Sequence, residues 1–461
     1  MPLPSELLRA VSSPGGGRMA LVLGAGCSVE PPTGIQVSTA CSLEIHRLLV
    51  ADGILQEKEC AEPEDLSAVA DAVFERYGSQ RAVVERLRDS YELKLAAPND
   101  GYLIAAALLC EGTISSIVTL NYDLALSNAL SALGAPKSIG IIERPEDLDR
   151  QKNTNVYYLH RNVNAENPET WVLRTNALEE EWRGHWEQII ATRVLTTPVV
   201  LFAGVGTPVA VLIESAKLLC ASLPPPRLVF LAAPGALAQS KFFQELGIDE
   251  AHFVQLPWGA LMKDLSDRLL EEHVHRLNQA ATRKIREDAL PDEDISRQLA
   301  VLQQMGIVRV GILRARWLLY DKPYRTFEES TVGLFADLLL ALATIARVSN
   351  TSPVILDDGC VEYRRQDRTV VCFVVVSGSG HRGRNAIEVE LQTRRSKYLH
   401  NPTAVLVGGT SASWQAPLSP PADIINGAVS RDDLLRGPTS MSYFHIDELR
   451  ADQARIMKVV P

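Results

Sequence analysis

The chain has 461 residues, a formal net charge of −10, 46% hydrophobic residues and 22% charged residues. Such values are typical of a folded protein of about two to four domains, and they exclude wholesale disorder. Seven cysteines without a C-x-x-C pair favour a reducing compartment and argue against a structural zinc site. Because the N-terminus lacks the basic start and long apolar run of a signal peptide, we expect a cytoplasmic protein.

The first part of the chain alternates short apolar strands with helical patterns. Strands are predicted at 19–26, 114–123, 138–142, 156–160, 170–174, 197–204 and 227–234. Helices are predicted at 37–50, 65–77, 80–95, 101–110, 124–133, 177–193 and 259–275. Apolar, turn-bounded strands that alternate with helices predict a parallel α/β sheet.

Residues 194–213 carry no charge and are long enough to cross a bilayer. Two prolines and two glycines interrupt this run: Pro198, Gly204, Gly206 and Pro208. The interruptions leave a β-branched stretch, a glycine turn and a second apolar stretch. This order favours a buried strand that enters a helix, so we expect no membrane span.

After His275 the pattern changes to long helices followed by a run of strands. The helices are predicted at 276–320 and 327–348, and the strands at 353–359, 369–379, 386–392 and 403–409. We therefore expect two domains, residues 1–275 and 276–461, the second with a separate α+β fold.

Charge differs between these two parts. Residues 1–275 carry a net charge of −13 and residues 276–461 a net charge of +3. An acidic first part disfavours non-specific binding to DNA. The second part contains eight cations within 34 positions: Arg364, Arg365, Arg368, Arg382, Arg384, Arg394, Arg395 and Lys397. A solvated face is the preferred interpretation, ahead of a nucleic-acid or partner surface.

A glycine turn follows the first predicted strand. Its sequence is Gly24-Ala25-Gly26-Cys27-Ser28. Glycines at this place let the backbone approach a phosphate closely. A plain tight turn gives the same pattern, and the third glycine of the dinucleotide fingerprint is missing, so the motif leaves both interpretations open.

Polar residues end two further strands, and ligands of open parallel sheets bind beyond such strand ends. Asp123 also fits as the N-cap of the next helix, whereas Asn121, two residues earlier, is harder to explain as a cap. A lone histidine such as His160 is more often structural than catalytic. Its place at a strand end, with polar residues after it, favours a functional role.

The order of these motifs resembles the sirtuin-like family in its minimal, zinc-free branch. The motifs are G-A-G-x-S, then T-x-N-x-D, then L-H about 40 residues later. Gly204 and Gly206 in F-A-G-V-G resemble the family's glycine turn for the distal part of the nucleotide. The resemblance covers about residues 15–275. It implies a Rossmann-like parallel sheet with helices on both faces that binds NAD as substrate and cleaves its nicotinamide–ribose bond.

The resemblance also implies roles for single residues. Asn121 would hold the nicotinamide ribose and position the attacking water. Asp123 would hold the nicotinamide end or support the loop, and His160 would be the general base at the ribose hydroxyls. Loss of neutral nicotinamide leaves an oxocarbenium-like ribose, so the site needs positioning and a base but no metal. Four residues would cradle the dinucleotide: Gly24, Ala25, Gly26 and Ser28.

This sequence departs from the family at several places. Deacylating sirtuins carry four zinc-binding cysteines and a longer acceptor-peptide segment, which have no counterpart here. NAD hydrolysis is therefore favoured over deacylation or ADP-ribosyl transfer. Arg161 stands where many members have glycine, and a long cation there would narrow the pocket or pair with a phosphate. A catalytically silent scaffold that binds NAD or ADP-ribose is the non-enzymatic alternative.

Minimal domains of this kind resemble those of bacterial anti-phage systems, in which activated NADases deplete NAD. We accordingly expect residues 276–461 to sense a trigger, bind a protein partner or build a homo-oligomer. A nuclease-type metal site from Asp357, Asp358, Glu388 and Glu390 is disfavoured, since a D…E-x-K pattern needs lysine at 392, which is glutamine.

Overall fold

The structure is a computed structural model that describes residues 3–445, with gaps at 14–16, 135–138, 178–193, 195, 207–212, 214–227, 248, 289–291, 319–328, 357–358, 378–403 and 408–441. The chain divides into two compact units, Met1–Leu269 and Leu270–Pro461.

Unit 1 is built on a seven-stranded parallel sheet in the order β3-β4-β2-β1-β5-β6-β7. The strands are β1 (Met19–Leu23), β2 (Ile114–Thr119), β3 (Ile139–Ile142), β4 (Thr154–Tyr158), β5 (Val199–Ala203), β6 (Leu228–Ala233) and β7 (Phe253–Gln255). The helices are α1 (Ser5–Val11), α2 (Ser38–Ala51), α3 (Leu66–Tyr77), α4 (Arg81–Ser90), α5 (Asp100–Cys110), α6 (Ala125–Ala132), α7 (Lys241–Leu246) and α8 (Trp258–Asp288), the last of which ends beyond unit 1.

The sheet is covered on both faces. Every residue of β1 and β5 is buried, as expected for central strands of a parallel sheet. On one face, Val22 and Phe202 pack with Phe242 of α7 in one hydrophobic cluster. Helices α1 and α5 contact β5 and β2 but contribute nothing to that cluster, so they cover the opposite face. The predicted Rossmann-like sheet with helices on both faces is confirmed.

A helical module of α2, α3 and α4 is inserted between β1 and β2. Its apolar core includes Ile45, Val73 and Val83, and it also receives Trp171 from a distant loop. Helix α3 begins where the Asp65 side chain accepts a hydrogen bond from the Ser67 N–H, which satisfies a free donor of the first turn.

The strand predicted at 170–174 does not form. A 3₁₀ helix, Pro168–Thr170, precedes three buried residues, and the backbone bonds of Trp171 and Val172 go to loop and side-chain groups rather than to a neighbouring strand. For example, Val172 N–H donates to the His160 carbonyl oxygen. Apolar character here reflects packing on the helical module. The helix predicted at 177–193 lies almost entirely outside the described residues, and the predictions overlooked α1, α7 and β7.

Unit 2 combines helices with a mixed sheet. Helices α9 (Asp292–Leu318) and α10 (Glu329–Ser349) pack against each other. The strands β8 (Ser352–Ile355), β9 (Val361–Arg364), β10 (Val370–Ser377), β11 (Ala404–Val407) and β12 (Ser442–His445) form one sheet in the order β12-β11-β10-β9-β8. Pairs β8–β9 and β9–β10 are antiparallel, whereas β10–β11 and β11–β12 are parallel. The predicted α+β fold of the C-terminal part is confirmed.

Several sequence features of unit 2 fall outside the described residues. They include the acidic pair at 357–358, the strand predicted at 386–392 with both of its glutamates, and most of the basic stretch 364–397. Within the described residues, one helical stretch, Val332–Ser349, is long and apolar enough to cross a membrane. Because 61% of that stretch is buried inside the fold, it fits the core helix of a folded domain.

Candidate active site

The site lies where β1, β2, β4 and β5 end side by side. The chain starts in the middle of the sheet and builds toward one edge through β2, β3 and β4. It then crosses to the other side of β1 to form β5. In open parallel sheets such a reversal leaves a crevice beyond the carboxyl ends of the strands. The polar segments that follow these strands converge at this place.

Two glycine turns meet at these strand ends. After β1, Gly24 N–H donates to the Ala203 carbonyl oxygen at 2.9 Å, and a 3₁₀ helix, Ala25–Ser28, follows. Gly26 N–H donates to the carbonyl oxygen of Gly204 at 2.9 Å, directly after β5. The turns after β1 and β5 therefore pack backbone against backbone.

This packing explains why three of the glycines are needed. A Cβ on Gly24 would lie 2.5 Å from the Gly204 carbonyl oxygen, and a Cβ on Gly26 would lie 2.8 Å from the Gly204 Cα. Gly204 itself has φ +65°, and its Cβ would lie 2.5 Å from the Cys27 nitrogen. The turn thus requires glycine even without a ligand. Gly206 differs, because a Cβ there would meet no described atom within 4 Å.

Asn121 is held in the crevice through its amide nitrogen. The Nδ2 atom lies 3.1 Å from the Gly24 carbonyl oxygen, 3.1 Å from Ser28 Oγ and 3.0 Å from the Tyr102 hydroxyl. The side chain is buried, at 7% exposure. Its amide oxygen has no hydrogen-bond partner among the residues that the structure describes. An acceptor is thereby fixed in place with its bonding capacity unused.

The hydroxyls beside Asn121 form a chain of hydrogen bonds in which each donor points toward Asp123. Ser28 Oγ donates to Asp123 Oδ2 at 2.8 Å, and it lies 2.8 Å from the Tyr102 hydroxyl. Because Ser28 has a single hydroxyl proton, which goes to Asp123, the Tyr102 hydroxyl must donate to Ser28. The Tyr102 oxygen then accepts from Asn121. The carboxylate of Asp123 thus orients the amide of Asn121 through two hydroxyls.

Burial governs the ionisation of Asp123 and Tyr102, the two titratable members of this hydrogen-bonded chain. Burial raises the pKa of Asp123, while hydrogen bonds from the Ala125 N–H and the Ser28 hydroxyl oppose the rise. Burial also raises the pKa of Tyr102 well above its usual value, and the nearby charge of Asp123 adds to this. Tyr102 therefore stays protonated and able to donate. Asp123 is surrounded by protein donors, so its geometry is that of a support for the loop.

His160 follows β4 and is joined to the same strand ends. Leu159 N–H donates to the Thr119 carbonyl oxygen at 3.1 Å, and the ring of His160 lies 6.2 Å from the ring of Tyr122. Burial lowers the pKa of His160 to about 4; a hydrogen bond with the Leu120 backbone opposes this, and the charge of Arg161 adds to it. At neutral pH the imidazole is therefore neutral, the form that a general base needs, and the lowered pKa also makes it a weaker proton acceptor than a free imidazole.

Arg161 is buried and adopts the left-handed backbone conformation, with φ 71°. Its guanidinium Nη1 donates to the Leu159 carbonyl oxygen at 3.4 Å. Left-handed backbone favours glycine, which explains why a glycine would fit this place without strain. Here a cation occupies it and lies folded against the backbone beside His160.

Two residues of the site were overlooked in the sequence. Tyr102 lies in the first turn of α5, where a hydroxyl inside an otherwise apolar helix was the available signal. Asn99 caps that helix by accepting from Tyr102 N–H, and its Nδ2 donates to the Cys27 carbonyl oxygen at 2.8 Å. Asn99 thus attaches α5 to the glycine turn. An asparagine directly before an apolar helical run is a recognised cap signal.

The structure therefore brings together most of the predicted site residues. Bonds or backbone packing connect Gly24, Gly26, Ser28, Asn121, Asp123 and Gly204. Ala25 lies within the 3₁₀ helix that contains Gly26 and Ser28, and Gly206 lies two residues after Gly204, where a Cβ would meet no described atom within 4 Å. Among the described residues, no group of three or more His, Cys, Asp or Glu side chains is placed to hold a metal ion.

No protein-family model and no curated protein sequence matches the chain. Solved structures of Sir2 homologues are similar to it. A mutant Sir2 homologue in complex with ADP-ribose shares 15% identity at a TM-score of 0.34, covering 58% of this chain and 97% of its own. A Sir2 homologue–NAD complex shares 16% identity at a TM-score of 0.33, covering 57% and 92%.

A third similar structure is a mutant Sir2 homologue in complex with 2′-O-acetyl-ADP-ribose, with 16% identity, a TM-score of 0.35, and coverage of 58% of this chain and 97% of that one. These are structures of the family that the sequence motifs resemble.

Proposed function

We propose that unit 1 binds NAD in this crevice and hydrolyses the nicotinamide–ribose bond. The observation that supports the proposal best is the fixed amide of Asn121, whose nitrogen is held by Gly24, Ser28 and Tyr102 and whose oxygen is unused. An amide oxygen in that state accepts a hydrogen bond from a ribose hydroxyl or from a water molecule. Orienting that water is the main requirement for attack on an oxocarbenium-like ribose.

His160 supplies the second requirement, a base. Burial keeps its imidazole neutral, and a neutral imidazole accepts a proton from a ribose hydroxyl or from the attacking water. The two glycine turns lie at the strand ends where a dinucleotide backbone is bound in open parallel sheets, and their close packing fixes the backbone groups there. Chemistry of this kind uses positioning, one base and no metal, and nicotinamide leaves as a neutral molecule.

The direct test is to incubate the purified full chain with NAD and to quantify nicotinamide. Asn121→Ala and His160→Ala should each lower the rate by about 100-fold or more, since each removes a group that acts on the reacting atoms. Asn128→Ala is the matched control. Its amide nitrogen donates to the Ala96 carbonyl oxygen at 2.9 Å, outside the Asn121 chain, so this variant should keep the wild-type rate.

One observation favours a second candidate, a scaffold that binds NAD or ADP-ribose without cleaving it. Arg161 places a buried cation directly after His160. Calorimetric titration with NAD separates the candidates. Binding without nicotinamide release in the wild type, together with release by Arg161→Gly, would assign the cation as the cause of silence. Absence of NAD binding would contradict both candidates.

The proposal extends to the whole chain as a triggered, cytoplasmic effector that depletes NAD in anti-phage defence. Unit 2 would then carry the oligomer interface or the contact with a trigger. We expect expression of the wild-type chain, but not of Asn121→Ala, to lower cellular NAD after phage infection. Light scattering of the purified chain reports the oligomer. Unchanged NAD levels in infected cells would contradict the defence role.

A further inference from the structure

We propose that Tyr122 and Trp171 form an aromatic clamp that fixes the position of His160 relative to Asn121, and that both are positioning residues for NAD hydrolysis. This inference rests on the proposed function. The clamp is defined as the stacked ring pair Tyr122–Trp171, with ring centroids 4.8 Å apart and an angle of 14° between the planes.

In the sequence, Tyr122 lies between Asn121 and Asp123, which both belong to the hydrogen-bonded chain described above. Its own side chain contacts a different part of the protein. Asn121 and Asp123 both reach Ser28, whereas the Tyr122 ring stacks on Trp171. Its hydroxyl donates to the Val172 carbonyl oxygen at 2.8 Å. Any shift of Tyr122 along the chain would therefore also shift Asn121, its covalent neighbour.

The segment that carries His160 is held by Tyr122 on both sides. Val163 N–H donates to the Tyr122 carbonyl oxygen at 2.9 Å, just after His160. Val172 N–H donates to the His160 carbonyl oxygen at 3.3 Å, and the same Val172 accepts from the Tyr122 hydroxyl. Because residues 159–173 form no strand, these bonds replace a sheet ladder in fixing the imidazole.

Trp171 is in turn anchored in the helical module. It is 1% exposed and packs in the cluster that includes Val83 and Leu87. Its carbonyl oxygen accepts from Gln80 Nε2 at 2.9 Å, and its indole N–H donates to the Ala165 carbonyl oxygen at 3.0 Å. The Arg88 guanidinium lies 5.3 Å from the indole ring. The clamp therefore joins the end of β2, the His160 loop and the helical module.

The kinetic test compares Trp171→Leu with Trp171→Phe and Tyr122→Phe in the full chain. We expect Trp171→Leu to lower kcat by about tenfold or more while KM for NAD stays within about threefold, since misplacement of a base affects the chemical step. Trp171→Phe keeps a stacked ring and should restore kcat to within about threefold of wild type. Tyr122→Phe keeps the ring and loses only the hydroxyl, so an intermediate decrease in kcat is expected.

Trp317→Leu is the matched control. Trp317 is 2% exposed and its indole N–H donates to the Leu334 carbonyl oxygen, so the same cavity is made in unit 2. This variant should lose stability without the selective loss of kcat. If Trp171→Leu does not fold, as judged by circular dichroism, Tyr122→Phe and Trp171→Phe decide the question.

A second readout does not depend on hydrolysis. Carbon-13 labelling of histidine, with the His160 signal assigned from His160→Ala, gives the pKa of that imidazole by NMR titration. In the wild type the pKa of His160 should lie near 4. Arg161, the adjacent cation that lowers this pKa, is present in both the wild type and Trp171→Leu, so it does not cause a difference between them. Release of the loop in Trp171→Leu should admit water and move the pKa toward 6.5.

The outcomes separate the two claims. If the wild type releases no nicotinamide, the proposed function fails and the NMR shift alone decides the clamp. A Trp171→Leu protein that folds, keeps kcat within twofold of wild type and leaves the His160 pKa unchanged would overturn the clamp even where hydrolysis is demonstrated.

Discussion

At the scale of single residues, the site depends on the uncharged hydroxyl of Tyr102, which lies in helix α5. Tyr102 accepts from Asn121 and donates to Ser28, so it transmits the orientation set by Asp123. The hydrogen bonds of such a buried chain are worth more together than separately, because each partner would otherwise be left unsatisfied.

Tyr102→Phe should therefore reduce activity without abolishing binding. Removal of the hydroxyl leaves a buried N–H of Asn121 with fewer acceptors and costs about 1–3 kcal/mol of folding stability. We expect kcat for NAD hydrolysis to fall by about tenfold, with KM little changed. Tyr158→Phe is the control, since the Tyr158 hydroxyl is paired with Ser127 Oγ at 2.7 Å outside this chain. Equal losses in the two variants would show that Tyr102 has only a general packing role.

The lowered pKa of His160 gives a prediction with a definite sign. Burial lowers this pKa from 6.5 to about 4. Between pH 6.5 and pH 4 the unfolded chain therefore binds a proton at His160 and the folded chain does not. The contribution of His160 to stability is complete above pH 6.5 and is lost as the pH falls through 6.5 toward 4. Thermal unfolding at pH 5 and pH 7 should show a smaller pH dependence in His160→Ala than in the wild type.

For the same reason, kcat/KM should not show a histidine titration near pH 6.5. The imidazole of the free enzyme remains neutral down to about pH 4, so a base role predicts a level profile between pH 5.5 and 7.5 as far as His160 is concerned. An inflection near 6.5 that disappears in His160→Ala would contradict this assignment.

At the scale of elements, the close approach of two turns decides the shape of the crevice. Gly204→Ala should destabilise the protein for two reasons, its left-handed backbone and the contact of its Cβ with Cys27. Gly247→Ala is a matched control, because Gly247 has the same φ of +65° but a Cβ there would meet no described atom within 4 Å. The control should cost about 1–2 kcal/mol, the cost of left-handed backbone.

We expect Gly204→Ala to exceed that cost by on the order of 2 kcal/mol, since two backbone segments must separate to admit the methyl group. Urea unfolding of both variants measures the difference. Similar midpoints for the two would mean that the turns after β1 and β5 separate easily, and that their packing does not shape the site.

At the scale of the whole molecule, stability is distributed unevenly within unit 1. Strands β1 and β5 are buried along their entire length, whereas α1 is a helix of only seven residues. Buried central strands open only on global unfolding, and short helices open locally. Hydrogen exchange followed by mass spectrometry should therefore find β1 and β5 slowest and α1 much faster. Rapid exchange in β1 would contradict the parallel-sheet core.

Charge at this scale also differs between the parts of the chain, with −13 over residues 1–275 and +3 over residues 276–461. Added salt would therefore screen the binding of a charged ligand differently in these two parts of the chain. The preference for a solvated face over a nucleic-acid or partner surface at 364–397 stays a prediction, because most of that stretch lies outside the described residues.

Local pattern was sufficient for most elements of unit 1. Strand β1 and helix α5 are found within a few residues of their predicted bounds, because apolar runs with turn signals at both ends constrain the chain locally. In the segment 170–174, local apolar pattern does not determine the structure. Trp171 and Leu173 have the apolar character of a strand, but they pack in a cluster with residues from 45–93, about 80 to 130 positions earlier in the chain.

The sequence by itself determined the fold class, the glycine turn, and the placing of Asn121, Asp123 and His160 at strand ends, because side-chain periodicity and strand–turn junctions are local properties. Only the tertiary structure decided how these residues act on each other. It brought Tyr102 between Asn121 and Ser28, it set Gly204 against Gly26, and it stacked Tyr122 on Trp171. Contacts between residues so far apart in the chain depend on how helices and strands pack, and no local pattern records that packing.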